Sequence, residues 1–358
     1  MSVAFNQGPA GVPLARMLAA FFAVRGRTSR DVGARGIATR RNTAAMGSNH
    51  VPAGLWRADR DGLELDITST SNSKVKLMRS FHKRRRRDEE GKTLVEGHRL
   101  VCDLIEGGHA PSLVIVSREA LRASPGPRLR AALETLAAAV VAVAAPEVVQ
   151  RCCDTVTSQG VVALVDRPTL LFPETLQTVL ICDGIQDPEG NLGTLIRTAK
   201  GLGVDAVVLT GTCADYWSPK TVRSSMGASF RIPALRLETW DQVVELMRRR
   251  GVRVYAAEGG AILSHFDANW TLPSALVVGA EARGLGDDAR RGLERGDILG
   301  VSVPLNGDVE SLNAAVAGAI VLGEAQRQRV VAERQAFVDE EGVAGTTSPG
   351  DGLPTSAQ

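Results

Sequence analysis

Little in this 358-residue chain points to covalent or metal chemistry. Its five cysteines, Cys102, Cys152, Cys153, Cys182 and Cys213, include no Cys-x-x-Cys pair, and the adjacent Cys152 and Cys153 are badly spaced for sharing a metal ion. Buried, reduced thiols are the expected state. The five histidines (His50, His82, His98, His109, His265) are scattered and form no His-x-x-x-His, so no metal site is expected. No apolar run approaches the roughly 20 residues that span a bilayer, and no membrane segment is expected. The dinucleotide fingerprint Gly-x-Gly-x-x-Gly is missing: neither Gly184/Gly190/Gly193 nor Gly279/Gly284/Gly286 has its spacing. A Walker Gly-x-x-x-x-Gly-Lys is missing too, which argues against both a nicotinamide enzyme and an NTPase.

Acid is scarce at one end. Residues 1–58 hold eight arginines against one acid, Asp31, although the whole chain carries only +2. With Ala, Ser, Thr and Gly around an apolar patch between Arg16 and Arg25, this is the composition of an organelle transit peptide, with the mitochondrion expected over the chloroplast. The Gly-, Thr-, Ser- and Pro-containing end, residues 342–358, reads as a disordered tail.

Two blocks lie between these ends. In the first, residues 72–168, Val75, Met78 and Phe81 have helical spacing, and candidate strands at Thr93–Glu96, Ser112–Val116, Val140–Ala144 and Gly160–Val165 alternate with helical stretches. The alternation predicts a small α/β domain. Lys83, Arg84, Arg85, Arg86 and Arg87 could neutralise RNA phosphates, or could be a solvated helix end followed by the acids Asp88–Glu90. The second block, residues 175–335, alternates apolar strands with helices and predicts a mostly parallel sheet covered on both faces.

Three segments of the second block carry the chemistry, each at the end of an apolar run, where α/β proteins bind ligands. Asp187-Pro-Glu-Gly-Asn191-Leu-Gly-Thr-Leu-Ile-Arg197 reads as a turn into a helix, with Asn191 in the loop and Arg197 on the helix. Gly279-Ala-Glu281 ends a strand, where glycine permits close approach of a flat ligand. In Val303-Pro304-Leu-Asn-Gly-Asp-Val-Glu-Ser311-Leu312-Asn313, Ser311 suits the N-cap of the last helix and Asn313 lies just inside it. Between them, Lys220 and Arg223 add cations suited to phosphate. An amide, a guanidinium, a carboxylate and hydroxyls are present without an activated nucleophile, so binding and positioning are expected to outweigh covalent catalysis.

The order and content of these segments resemble the three motifs of the SpoU/TrmH family of RNA ribose 2'-O-methyltransferases, in the SPOUT superfamily. The resemblance rests on Asp187, Asn191, Gly193 and Arg197, then Gly279 and Glu281, then Pro304, Ser311, Leu312 and Asn313. The preceding block is similar to the ribosomal-protein-like α/β/α substrate-binding domain of many members. The resemblance implies a deep C-terminal trefoil knot with a mostly parallel sheet, a homodimer joined through the last helix, and S-adenosylmethionine as cofactor. It implies that Asn191, Arg197, Glu281, Ser311 and Asn313 form the reaction site. Gly279, Val303, Leu312, Thr210 and Pro304 would bind the cofactor, while Lys83 to Arg87, Lys220 and Arg223 would bind RNA. The substrate it implies is large-subunit rRNA of an organelle; tRNA, or a catalytically weak role in ribosome assembly, are the alternatives.

Overall fold

The computed structural model describes residues 65–344, apart from 124, 125, 282 and 308, with side chains described as far as residue 337. The Arg-rich start and residues 345–358 lie outside the described residues. Residues 342–344, assigned to a disordered tail by composition, instead continue the last helix.

The first block builds a four-stranded sheet in the order β1-β4-β2-β3 from β1 (Lys92–Glu96), β2 (Pro111–Ser117), β3 (Val141–Ala144) and β4 (Val161–Asp166). β4 is antiparallel to both β1 and β2, while β2 and β3 run parallel. Period-two alternation divides the side chains between two buried faces. Leu94, Leu113 and Ile115 meet α1 (Ser73–Ser80) and α6 (Pro146–Cys152) through Val75, Met78, Val148 and Val149. Val95, Val114 and Val116 meet α3 (His98–Glu106) and α5 (Gly126–Glu134) through Leu100, Leu104, Leu129 and Leu133. Two shorter helices, α2 (Arg84–Glu90) and α4 (Arg118–Arg122), complete the block.

The second block is a six-stranded sheet in the order β10-β8-β9-β5-β6-β7, and every pairing is parallel. Its strands are β5 (Thr178–Asp183), β6 (Ala206–Thr210), β7 (Ala234–Leu237), β8 (Arg253–Ala257), β9 (Ser274–Gly279) and β10 (Leu299–Val301). Both faces are buried, so the central strands read as unbroken apolar runs. Leu180, Val207, Leu276 and Val278 lie under α7 (Gly193–Gly201) and α11 (Ala314–Ala344). Val179, Ile181, Val208 and Val277 lie under α9 (Trp240–Arg249) and α10 (Asp287–Arg295). α8 (Pro219–Ser224) stands between the blocks: Val222 and Phe230 join the core that contains Leu100 and Leu104.

The chain makes an arch at the end of β10. The carbonyl of Val301 accepts from Glu258 N at 2.9 Å on the β8 side; Ser302 N donates to Leu263 O and Ser302 O accepts from His265 N, both at 2.9 Å. Backbone polar groups of successive strand residues point to opposite edges. The segment Ala257–His265 therefore grips both edges of one strand end.

α11 is anchored through polar side chains as well as Val321 and Leu322. Gln328 donates to Ala268 O at 3.1 Å and accepts from Trp270 N at 3.0 Å, and Arg329 donates to Gln177 O at 2.9 Å. Glu324, 7% exposed, accepts from Arg327 Nε and Nη2 and from Gln328 Nε2, each at 2.8 Å. The Arg327 hydrogen bonds, outweighing burial, lower its carboxyl from 4.5 to about 2. A lowered folded-state value means stability that is complete above 4.5 and lost as pH falls toward 2. Thermal melting between pH 5 and 2.5 is expected to show a smaller acid-induced drop in Glu324→Gln than in the wild type; equal drops would refute the assignment.

Candidate active site

The parallel strands direct their C-terminal ends, and the loops that leave them, to one side of the sheet. After β5 comes a turn capped by Asp187, whose Oδ1 accepts from Glu189 N and Gly190 N at 3.0 Å. Residues Pro188–Leu192 form one π-helical turn before α7 begins, a local widening that recurs at functional sites. Gly193 is required there: a Cβ would lie 1.7 Å from Ser224 Oγ. That contact brings α8 against the turn, and Ser224 Oγ donates to Pro188 O at 2.9 Å. The π turn directs Asn191 inward, to 3% exposure.

Asn191 meets two residues from distant segments. Its Nδ2 donates to Glu281 Oε2 at 3.3 Å, and its Oδ1 accepts from Asn313 Nδ2 at 2.8 Å. Asn313 Nδ2 also donates to Glu281 Oε1 at 2.8 Å. The two amides and one carboxylate thus form a closed ring of hydrogen bonds, with each Glu281 oxygen accepting one amide N–H. Ser311, expected as the helix cap, is exposed and makes no hydrogen bond to a described residue. The cap is Asn313: its Oδ1 accepts from Ala315 N at 3.0 Å and Val316 N at 3.2 Å, and α11 starts at Ala314.

Gly279 also differs from expectation. A Cβ there would lie 2.4 Å from the backbone of Gly284, so the chain's own turn already requires the glycine. Ala280 and Gly284 exchange backbone hydrogen bonds of 2.9 and 2.7 Å. The turn from Ala280 to Gly286 is thereby folded back on the end of β9, with Glu281 directed at the two amides.

Beside the ring is a cavity of about 540 Å³, lined by Asp183, Asp187, Asn191, Thr210, Trp240 and Glu281 among others. Thr210 reaches it, but its hydroxyl donates to Asp183 Oδ1 at 2.5 Å. Val303, Pro304 and Leu312 do not line it. Val303 packs instead on the core that includes Val278 and Val301. β6 and β10 are separated by three strands, about 19 Å at ordinary strand spacing, so Thr210 does not share one cradle wall with Val303. Asp183 and Trp240 were not evident in the sequence, where Asp183-Gly184 resembles an ordinary turn.

Arg197 lies on the solvent side of α7, opposite buried Leu195, Ile196 and Ala199, with no hydrogen bond or ion pair to a described residue. The structure does not bring it to the amide ring within one chain. Burial raises all five cysteine thiols above their ordinary value, Cys152 to about 11 and Cys153 to about 12. None is a thiolate near neutral pH.

The basic residues divide. Arg87 is 3% exposed; it donates to the carbonyls of Phe81 and His82 at 2.7 Å and pairs with Asp215 of the second block at 2.5 Å. It is a structural link, unavailable to RNA. Arg84, Arg85 and Arg86 pair with Asp88, Glu89 and Glu90 four residues on, which leaves exposed pairs of small energetic value and a reachable basic face. Lys83 is exposed at the N-cap of α2. Lys220 stands 3.9 Å from Asp154. Arg223 joins the blocks: it pairs with Glu96 at 3.3 Å and with Glu189, two residues before Asn191.

A family model described as SpoU rRNA Methylase family matches residues 177–323, and one described as MRM3-like substrate binding domain matches residues 72–163. The chain is 32% identical over 318 residues to rRNA methyltransferase 3A, mitochondrial, of Danio rerio, covering 75% of this chain and 71% of that protein. It is 36% identical over 258 residues to the 23S rRNA (guanosine(2553)-2'-O)-methyltransferase RlmP of Bacillus subtilis (strain 168), covering 72% of this chain and 97% of that protein. Among solved structures, the SpoU methyltransferase AviRb from Streptomyces viridochromogenes in complex with AdoMet superposes with a TM-score of 0.62 at 27% identity, covering 72% of this chain and 98% of that one. An AdoMet-bound rRNA methyltransferase from Sinorhizobium meliloti superposes with a TM-score of 0.61 at 28% identity, covering 73% and 97%.

Two stability measurements check these placements. Arg87→Ala strips the part-buried Asp215 carboxylate of its cation and the Phe81 and His82 carbonyls of their donor, and urea unfolding is expected to show a loss of about 3 kcal/mol; a loss under about 1 kcal/mol would return Arg87 to the surface set. Gly193→Ala is expected to cost about 1–3 kcal/mol by overpacking, partly restored by Ser224→Gly.

Proposed function

The chain belongs to the SpoU rRNA methylase family, and from that premise we propose that it methylates the 2'-hydroxyl of a ribose in organellar large-subunit rRNA, using S-adenosylmethionine. The observation that carries this reading is the hydrogen-bonded ring of Asn191, Glu281 and Asn313, which unites three segments at the C-terminal ends of a parallel sheet. The first block, matched by a substrate-binding model, supplies the RNA grip.

The residues fit the cofactor. Half-buried Val303 and Leu312 offer apolar surface to a purine, and Glu281 places a carboxylate beside the same strand ends, as a sulfonium cation favours. Val303, Pro304, Leu312 and the backbone around Gly279 would hold it; Thr210 serves Asp183. When bound, the cofactor supplies an electrophilic methyl group.

The chain's own residues handle alignment and the proton. The amides of Asn191 and Asn313 fix both oxygens of Glu281, which leaves each with a free acceptor site. Glu281 is the carboxylate placed to accept the ribose proton as the oxygen becomes nucleophilic. A guanidinium stays protonated, so Arg197 acts by gripping phosphate and stabilising developing negative charge. Its exposure and lack of a partner among the described residues suit a residue that completes its contacts with RNA or a second subunit.

A homodimer is supported by the apolar residues α11 leaves open: Val316, Ile320, Val331 and Phe337 are all exposed. The arch over β10 supports the trefoil knot that the resemblance implies. Import into the mitochondrion is supported by the composition of residues 1–58 and by a relative named as mitochondrial.

Calorimetric titration with S-adenosylmethionine is expected to show binding, and mapping of 2'-O-methyl sites is expected to show loss of an organellar rRNA mark when the protein is removed. Absence of binding would favour an assembly factor, and a change confined to tRNA would overturn the substrate. In single-turnover assays Glu281→Gln is expected to slow methylation by about 10²- to 10⁴-fold. Arg197→Ala is expected to slow the same step; an unchanged rate would refute its role.

A further inference from the structure

Asp183, the last residue of β5, is 6% exposed and makes no ion pair among the described residues. Three neutral donors surround it. Thr210 Oγ1 donates to Oδ1 at 2.5 Å, Trp240 Nε1 to Oδ1 at 3.3 Å, and Gly286 N to Oδ2 at 2.7 Å. An indole N–H and a backbone N–H can only donate, so both side-chain termini at this position must accept. A carboxylate does so; an amide of the same shape does not. Removing a partner from a buried donor is costly, so two accepting termini are what this position requires.

The donors belong to the elements around the reaction site. Thr210 ends β6, Trp240 opens α9, and Gly286 closes the turn that begins at Ala280 and carries Glu281. That turn is held at one end by the Ala280–Gly284 exchange of hydrogen bonds. Arg290 braces its middle, donating to Leu285 O at 3.1 Å and Arg283 O at 3.2 Å. Its other end is held by Asp183. The same strand, β5, leads through Asp187 into the turn that carries Asn191.

We propose that Asp183 is a positioning residue for methyl transfer: through Gly286 it fixes the turn that holds Glu281 against Asn191 and Asn313. One side chain thus ties the strand that leads to Asn191 to the far end of the Glu281 turn. The inference rests on the methyltransferase reading of the same site. It assigns Asp183 no contact with RNA or cofactor.

The test is Asp183→Asn in the full chain, compared with wild type on an rRNA fragment that the wild type methylates. An asparagine can accept from Gly286 or from Trp240 but not from both. Expected are a fall in kcat on the order of 10- to 100-fold, KM for RNA and affinity for S-adenosylmethionine within about twofold, and faster amide exchange in the peptide containing Gly286. An unchanged kcat, unchanged exchange, or a defect confined to KM would each overturn the proposal. If Asp183→Asn does not fold, Trp240→Phe and Thr210→Val are measured in its place. Each is expected to lower kcat by about two- to fivefold without changing KM for RNA, and no effect in either would overturn it. A wild type that methylates no RNA would count against the enzymatic reading, whereas the exchange measurement would still judge the tether.

Discussion

The carboxamide of Asn313 is the contact on which the site depends. Its oxygen terminates the backbone ladder of α11, and its nitrogen holds both Asn191 and Glu281. A carboxamide can do this because its two ends have opposite hydrogen-bonding character on a rigid plane. Aspartate would cap the helix but repel Glu281, and serine is too short to reach both. The start of a 31-residue helix and the placement of the Glu281 carboxylate are thus set by the same side chain.

Charge in this protein is used internally more than its distribution suggests. Arg87 is taken from a basic run to cross between the blocks, and Arg223 is held between Glu96 of one block and Glu189 of the other. These links make the two sheets share a core, with Trp217 stacked edge-on against Phe230 and beneath Arg167. The placement of the first block and the arrangement of the motif turn are consequently not independent, because Glu189 lies in the turn that presents Asn191.

How legible this was in sequence depended on distance. The parallel sheet was readable because both faces are buried and its strands are continuous apolar runs; its helices α7 and α9 were readable from their apolar periodicity. α10 was not, since its buried residues are the small Ala289 and Gly292, which leave no apolar stripe. The short α6, opened by Pro146, was similarly missed. Within the site, the resemblance to the family's motifs pointed to Asn191, Glu281 and Asn313, but local rules could not choose Asn313 over Ser311 as the cap, because the choice is made by Glu281, 32 residues away. Arg87 was misassigned for the same reason: the partner that buries it is 128 residues distant. Asp183 carried no signal, since its three donors come from three different elements.

The arch over β10 gives the assembly an order. Glu258 N and His265 N have no acceptor until Val301 and Ser302 are in place between them, and Asn313 lies beyond that crossing. Whether the later chain slides beneath the arch or the arch is laid over it, the other five strands can pair before the crossing is made, but the amide ring cannot close without Asn313. A chain that stops before Ser302 would own most of the sheet and both Asn191 and Glu281 but not Asn313, so the ring of hydrogen bonds can close only once the start of the last helix has been made.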